Sequence, residues 1–340
     1  MTIDRVFFIA EFGANHDREF AKVIRGIDAA KAAGADAFKL QLYTADTLYA
    51  RETPAFAGYD DVHALIESIE LPKSWLHDCK AACDDRGIEF MCTPFDEWGI
   101  DELVAVGVKK IKVAGFESQD PRIVCRAAET DLPLIVSLGI GTTPKTTHEV
   151  LAWTERSPSV TLLHCNHAYP TPLEDTKIDT ITTLRSRHES ERVQIGYSDH
   201  TTSVLVPSLA VALGAVVIEK HFTLDKLSAG PDHPFALEPN ELREAISRVR
   251  EAETVKGNRD CPVTASERAY TPALRSIVAM KDIKSGEILS IQNTTTSRPY
   301  RTGAIAARFF FDAIESQARA TKNISAGSLI EWEQISWRPT

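Results

Sequence analysis

The stretch Ala33-Gly34-Ala35-Asp36-Ala37-Phe38-Lys39-Leu40-Gln41-Leu42 contains a glycine where a helix must stop, then a short apolar run carrying Lys39 and Gln41. Upstream of it, Phe20, Val23, Ile24 and Ile27 fall on one helical stripe. The same unit recurs along the chain. Apolar runs at 6–10, 37–42, 88–92, 110–114, 134–138, 160–163, 193–197 and 215–218 are short and mostly β-branched or aromatic, as strands buried on both faces must be. Gly34, Gly87, Gly107 and Gly214 each precede such a run, and Leu242, Ala245, Ile246 and Val249 form another helical stripe. Eight strand–helix units over about 250 residues predict a (β/α)8 TIM barrel. A doubly wound open sheet is the alternative, but the first strand–helix turn lacks a G-x-G-x-x-G.

The chain has 340 residues, room for one large barrel and a smaller module. Its 38 basic and 48 acidic residues give a formal charge of −10, which argues against a general nucleic-acid binder. A small anionic ligand stays compatible, because a local pair of lysines holds a phosphate inside an acidic protein. Apolar runs fall far short of the roughly 20 residues a membrane span needs, and residues 1–11 do not read as a signal peptide. The six cysteines (79, 83, 92, 125, 165, 261) form no C-x-x-C pair and read as reduced thiols of a cytoplasmic protein.

The predicted boundaries are a barrel over 1–256, a turn-rich linker over 257–273 and a second domain over 274–340. The second domain holds a repeat. Lys281-Asp282-Ile283-Lys284-Ser285-Gly286 is echoed by Lys322-Asn323-Ile324-Ser325-Ala326-Gly327, and each copy ends in Arg-Pro, at 298–299 and 338–339. Two copies of a short β-rich unit about a pseudo-dyad are expected.

In a barrel, polar residues at the C-terminal ends of the strands are the candidates for catalysis. In chain order these are Glu11, Lys39, Gln41, Thr93, Lys112, Glu117, Ser137, His164, Asn166, His167, Ser198, Asp199, His200, Glu219 and His221. Lys39 and Lys112, with the hydroxyls of Thr93, Ser137 and Ser198, supply the fixed charge and donors that phosphate recognition needs. A bland reading of Lys39, an ion pair with Glu11 or Glu117, stays open. His200 and His221 end neighbouring strands and suit one divalent metal with open positions, manganese better than zinc. Asp199 either orients His200 or caps the next helix. Asp232, in the loop after the last strand, is placed to meet sugar hydroxyls. Trp75, Trp98 and Trp153 fall on helical patterns and read as packing residues.

These residues sit in recognisable motifs. Ile9-Ala10-Glu11-Phe12-Gly13-Ala14-Asn15-His16, Cys92-Thr93-Pro94-Phe95, Tyr169-Pro170-Thr171-Pro172, Gly196-Tyr197-Ser198-Asp199-His200-Thr201, Ile218-Glu219-Lys220-His221-Phe222-Thr223 and Gly230-Pro231-Asp232 resemble the N-acetylneuraminate (sialic acid) synthase family. The tail from Arg275 to Pro299 resembles that family's antifreeze-like (SAF) domain, of β-clip type. The resemblance implies condensation of phosphoenolpyruvate with an N-acetylated amino sugar, N-acetylmannosamine first, giving a nine-carbon 2-keto acid and phosphate. A legionaminate or pseudaminate synthase acting on a 2,4-diacetamido-6-deoxyhexose is the alternative. By motif position Lys39, Thr93, Lys112, Ser137 and Ser198 would hold phosphoenolpyruvate, with Gln41, Asn166, His167 and Tyr169 also in the substrate site. Glu117 would guide the water, Glu11 and Asp232 would contact the sugar, and His200 and His221 would hold the metal (Mn²⁺, with Mg²⁺ or Co²⁺ as substitutes). The family's domain-swapped homodimer would bring Arg298 to the sugar of the other subunit.

The sequence departs from the family at several points. Gly115 removes a hydroxyl expected at the phosphate, Leu138 replaces a threonine, and His167 stands where Asn or Ser is usual. Asp17-Arg18 follows Asn15-His16 without the usual glycine. Gly115→Ser is therefore expected to be tolerated and to tighten phosphoenolpyruvate binding. Gly115 and Leu138 motivate a rival of another class, an inactive carbohydrate-binding barrel; a Schiff-base aldolase using Lys39 or Lys112 is the enzymatic rival.

Overall fold

The computed structural model describes residues 5–55, 58–257 and 263–337. The chain divides into two compact units, 1–257 and 258–340. The first is built on eight parallel strands: β1 (Phe7–Gly13), β2 (Ala37–Leu42), β3 (Glu89–Pro94), β4 (Ile111–Val113), β5 (Leu134–Leu138), β6 (Val160–Cys165), β7 (Val193–Asp199) and β8 (Val217–His221). Their order, β3-β2-β1-β8-β7-β6-β5-β4, joins the first strand to the last, and β3 and β4 lie side by side. That is the (β/α)8 barrel, not the open sheet. Each strand is followed by a helix: α1 (Phe20–Ala33), α2 (Leu76–Asp85), α3 (Glu97–Val106), α4 (Pro121–Ala128), α5 (Pro144–Trp153), α6 (Thr180–His188), α7 (Val206–Ala212) and α8 (Pro239–Lys256). Gly34 ends α1 in the left-handed conformation, φ 96°, which returns the chain toward β2.

Strand alternation makes two apolar layers. Phe8, Phe12, Phe38, Leu40 and Ile195 face the helices, while Ile9, Ala37, Met91, Ile135, Leu163 and Val217 fill the barrel's inside. Inside packing is tight: a Cβ at Gly196 would lie 2.5 Å from the carbonyl oxygen of Val217.

Several strands run further than the apolar runs suggested. β1 reaches Gly13, β6 Cys165, β7 Asp199 and β8 His221. A run defined by apolar residues stops at the first polar one, yet inside the barrel mouth the polar residues are strand residues. Leu138 is buried on the outer face of β5, against the helices, so its replacement of a threonine leaves the interior untouched.

The second unit has its own core, including Ile277, Leu289, Ile305, Ile324 and Ile330. β9 (Ser276–Ala279) pairs antiparallel with β10 (Thr294–Ser297). The repeat pairs with itself: Ile283 N–H donates to Ile324 O at 2.9 Å, and Ile324 N–H to Ile283 O at 2.8 Å. The equivalent glycines, Gly286 and Gly327, both have positive φ. Its second Arg-Pro, and Cys261, lie outside the described residues. The other five cysteines are free thiols. No helix among the described residues is long and apolar enough to cross a membrane.

Candidate active site

One layer above the inner apolar residues, the same alternation turns charged side chains into the barrel. Ile9, Ala37 and Val217 are followed two residues later by Glu11, Lys39 and Glu219, all buried. Lys39 Nζ lies 2.7 Å from Glu11 Oε2 and 3.4 Å from Glu219 Oε2, and donates to Thr93 Oγ1 at 2.8 Å. Lys112 Nζ lies 3.7 Å from Glu219 Oε1, which accepts from Ser198 Oγ at 2.9 Å. Gln41 Nε2 donates to Glu11 Oε1 at 2.8 Å. The bland reading of Lys39 thus holds for Glu11 but not for Glu117, and the pairing sits inside the cleft rather than excluding it from one.

These residues, with Gly115, Ser137, His167, Tyr169, His200 and His221, line a cleft enclosing about 330 Å³ of empty space. A larger cleft of about 600 Å³ opens beside the N-terminal end of β3, where Lys80 is already paired with Asp84 and Glu89 with Lys110. The smaller cleft is the candidate site, because titratable groups converge there.

Burial opposes every charge in it. It raises the Glu11 carboxyl to about 7 against the pull of Lys39, and the charge of Glu219 adds to the rise. For Glu219 burial is outweighed by Lys112 and Lys39, which hold it down to about 2. Lys39 overcomes burial through Glu11 and Glu219 and stays protonated, whereas burial lowers Lys112. Glu117 follows β4, its Oε2 is buried without a hydrogen-bond partner, and burial raises it to about 7. Ser137 Oγ and His221 Nδ1 are likewise buried without partners.

The rings of His200 and His221 stand 5.3 Å apart at 63°, and the Tyr169 ring lies 4.2 Å from that of His200. His200 Nδ1 is 2.6 Å from the carbonyl oxygen of Asn166, so it carries the hydrogen and leaves Nε2 its lone pair. Burial lowers both imidazoles, keeping them neutral. Neutral rings, one oriented by a carbonyl and one with an unpartnered nitrogen, fit a divalent cation. Among the described residues no cluster of three or more His, Cys, Asp or Glu side chains is placed to hold a metal, so the pair would leave most positions to other ligands. Asp232 Oδ2 lies 3.7 Å from His221 Nδ1.

Other expected residues are placed differently. The Asn166 side chain is engaged within its own loop, accepting from Ala168 N–H and donating to Asp175 O, and its main-chain carbonyl meets His200. Asp199 caps no helix and does not bond the His200 ring: it points outward, pairs with Lys220 and accepts from Thr201 N–H, so it acts on His200 only through the turn that follows β7. Arg298 is exposed in the second unit. Gly115→Ser cannot be the simple gain expected, because a Cβ at Gly115 would lie 2.0 Å from His167 Nε2. Asp17 and Arg18 adopt φ of 50° and 55°, where glycine is usual, held by Asp17 Oδ1 on His233 Nε2 at 2.9 Å and by Arg18 N–H on His16 Nδ1. Glu219, a rim residue to which the sequence assigns no role, lies between Lys39 and Lys112. Its signal is its place two residues before His221 on one strand.

The NeuB family model matches residues 26–260. The chain belongs to the NeuB family. A SAF domain matches residues 275–336. An N,N'-diacetyllegionaminic acid synthase from Legionella pneumophila is 34% identical over 343 residues, 97% of this chain and 94% of that protein. A pseudaminic acid synthase from Campylobacter jejuni is 35% identical over 341 residues, 97% of this chain and 96% of that protein. The solved N-acetylneuraminic acid synthetase from Leptospira borgpetersenii, in complex with citrate, superposes with a TM-score of 0.73 at 30% identity, covering 79% of this chain and 90% of that one. As a NeuB member this chain is a synthase of the nonulosonate class.

Proposed function

We propose that this protein condenses phosphoenolpyruvate with a 2,4-diacetamido-6-deoxyhexose, giving a nine-carbon 2-keto acid of the legionaminate or pseudaminate type and releasing phosphate. The observation that carries the reaction is a single cleft holding Lys39, Lys112 and the unpartnered Ser137 hydroxyl beside the His200–His221 pair. The sugar follows the names of the legionaminic and pseudaminic acid synthases described above, each matching along 97% of the chain. N-acetylmannosamine, expected first from the sequence, becomes the second candidate. The exposed ring of Phe116 gives a 6-methyl group a surface to pack on.

In this reading the phosphate enters between Lys39 and Lys112, with Ser137 Oγ donating a hydrogen bond. C3 of phosphoenolpyruvate attacks the open-chain aldehyde carbon, and the new alkoxide oxygen takes a proton from the Glu11 carboxyl, which burial raises to about 7. A divalent cation held by His200 and His221, Mn²⁺ in our reading, would act as Lewis acid at that carbonyl. Glu117 takes a proton from the water that adds to C2. The bond from C2 to the phosphate oxygen then breaks as the C2 hydroxyl becomes the keto group, its proton passing to the departing phosphate, whose charge the lysines stabilise. Asp232 would hold sugar hydroxyls.

By family resemblance we place the protein in the cytoplasm as a homodimer, Arg298 of each subunit serving the other's cleft. Mass spectrometry of the product, with phosphoenolpyruvate, Mn²⁺ and a panel of amino sugars, tests the substrate: the 2,4-diacetamido-6-deoxy sugars should outrun N-acetylmannosamine.

A further inference from the structure

His167 occupies a place built for a ring. Its imidazole lies over two glycines at the ends of β4 and β5. A Cβ at Gly115 would come within 2.0 Å of Nε2 and 2.4 Å of Cε1, and one at Gly139 within 2.3 Å of Cε1 and 2.6 Å of Nδ1. Ile140 N–H donates to Nδ1 at 3.0 Å. The Phe116 ring stacks on the imidazole, centroids 4.1 Å apart and planes 18° apart. The ring therefore cannot swing away from an added side chain without losing a hydrogen bond and a stacked face.

We propose that His167 replaces the hydroxyl that Gly115 lacks: its Nε2–H is a hydrogen-bond donor to the substrate phosphate, and Gly115 and Gly139 are glycines because the ring fills the space above both. The tautomer follows from geometry. Nδ1 accepts from a backbone N–H, so it bears the lone pair, and the ring's hydrogen sits on Nε2. That atom has no protein partner among the described residues, and His167 lines the cleft that holds Lys39, Lys112 and Ser137. A nitrogen carrying hydrogen is no metal ligand, which separates His167 from the His200–His221 pair. A neutral donor held rigidly adds a directed hydrogen bond to the charge the lysines supply, at small cost in rotamer freedom. The phosphate in this assignment rests on the reaction proposed above; the ring's place over the glycines does not.

The test is a double-mutant cycle read by calorimetry, with phosphoenolpyruvate and, separately, inorganic phosphate as titrants and no sugar present. Gly115→Ser and His167→Asn should each weaken phosphoenolpyruvate about tenfold or more, the loss of one hydrogen bond to a charged group. The double variant should return to within about threefold of wild type, because the serine enters the space the ring has left. Single variants that bind like wild type, or a double variant that loses the sum of both, overturn the proposal. Should Gly115→Ser fail to fold, His167→Gln keeps a donor near Nε2 and should bind far better than His167→Leu; equal binding overturns it. A wild type that binds phosphoenolpyruvate but yields no nine-carbon acid with any sugar refutes the proposed reaction and leaves this inference standing. A wild type that binds neither titrant refutes it outright.

Discussion

Lys220 Nζ lies 2.8 Å from Asp199 Oδ2, both side chains buried behind the barrel wall, one residue out of phase with Ser198, His200, Glu219 and His221. Asp199 Oδ1 also accepts from Thr201 N–H at 2.9 Å, and Lys220 Nζ bonds the Thr201 carbonyl, so the pair fixes the turn that carries His200. Asp199→Ala leaves a buried ammonium unpaired and should destabilise the barrel by about 3–5 kcal/mol, measured by urea unfolding. Adding Lys220→Met should recover most of that loss. A single variant as stable as wild type would show that the pair does not hold the turn.

Glu117 gives a pH signature of defined sign. Its carboxyl rises from 4.5 to about 7 on burial, so between those values the folded chain keeps a proton that the unfolded chain has lost. The stability this gives is complete below pH 4.5 and lost as pH rises through 7. Glu117→Gln should match wild type near pH 4.5 and exceed it above pH 7 by up to about 3 kcal/mol. Activity depends on pH differently. In the proposed reaction Glu117 acts ionised and Glu11 acts protonated, both near 7, so kcat/KM should be bell-shaped about pH 7 with its acid limb set by Glu117, and Glu117→Gln should be nearly inactive.

Removal of divalent metal with EDTA should abolish turnover, and Mn²⁺ should restore it. His221→Ala, which removes a ligand rather than its support, should weaken metal affinity by more than about 100-fold while leaving the melting temperature of the metal-free protein nearly unchanged. Full activity in chelator would contradict the assignment of His200 and His221.

A homodimer with the proposed shared site predicts complementation. Arg298→Ala and Glu117→Gln homodimers should each be nearly inactive, yet their mixture should regain activity after subunit exchange, since one of the two clefts in a heterodimer would have both residues intact. A mixture as inactive as its parents after verified exchange would contradict a site shared between subunits.

The barrel was legible because strand alternation and glycine stops are written locally: Ala37–Leu42 could be read, with Lys39 inside, from one segment. The same rule explains Leu138, whose neighbour Ser137 faces in while it faces out. What the sequence hid was pairing across the barrel. Glu219 meets Lys39 and Lys112 only when three strands close together, and Asp199 meets Lys220 through a register that no single strand reveals. Gly115 read alone is a missing hydroxyl; beside Gly139 and His167, both distant in sequence, it is room for a ring.

Phosphate release from phosphoenolpyruvate tests the central claim most directly. With Mn²⁺ and a 2,4-diacetamido-6-deoxyhexose present, the protein should release one phosphate per nine-carbon acid formed, and almost none without the sugar. Lys112→Met should lower kcat/KM for phosphoenolpyruvate by at least about 100-fold, since one charge serves both binding and the leaving group. No release with any amino sugar, or a borohydride-trapped adduct on Lys39 or Lys112 without phosphate, would contradict the account.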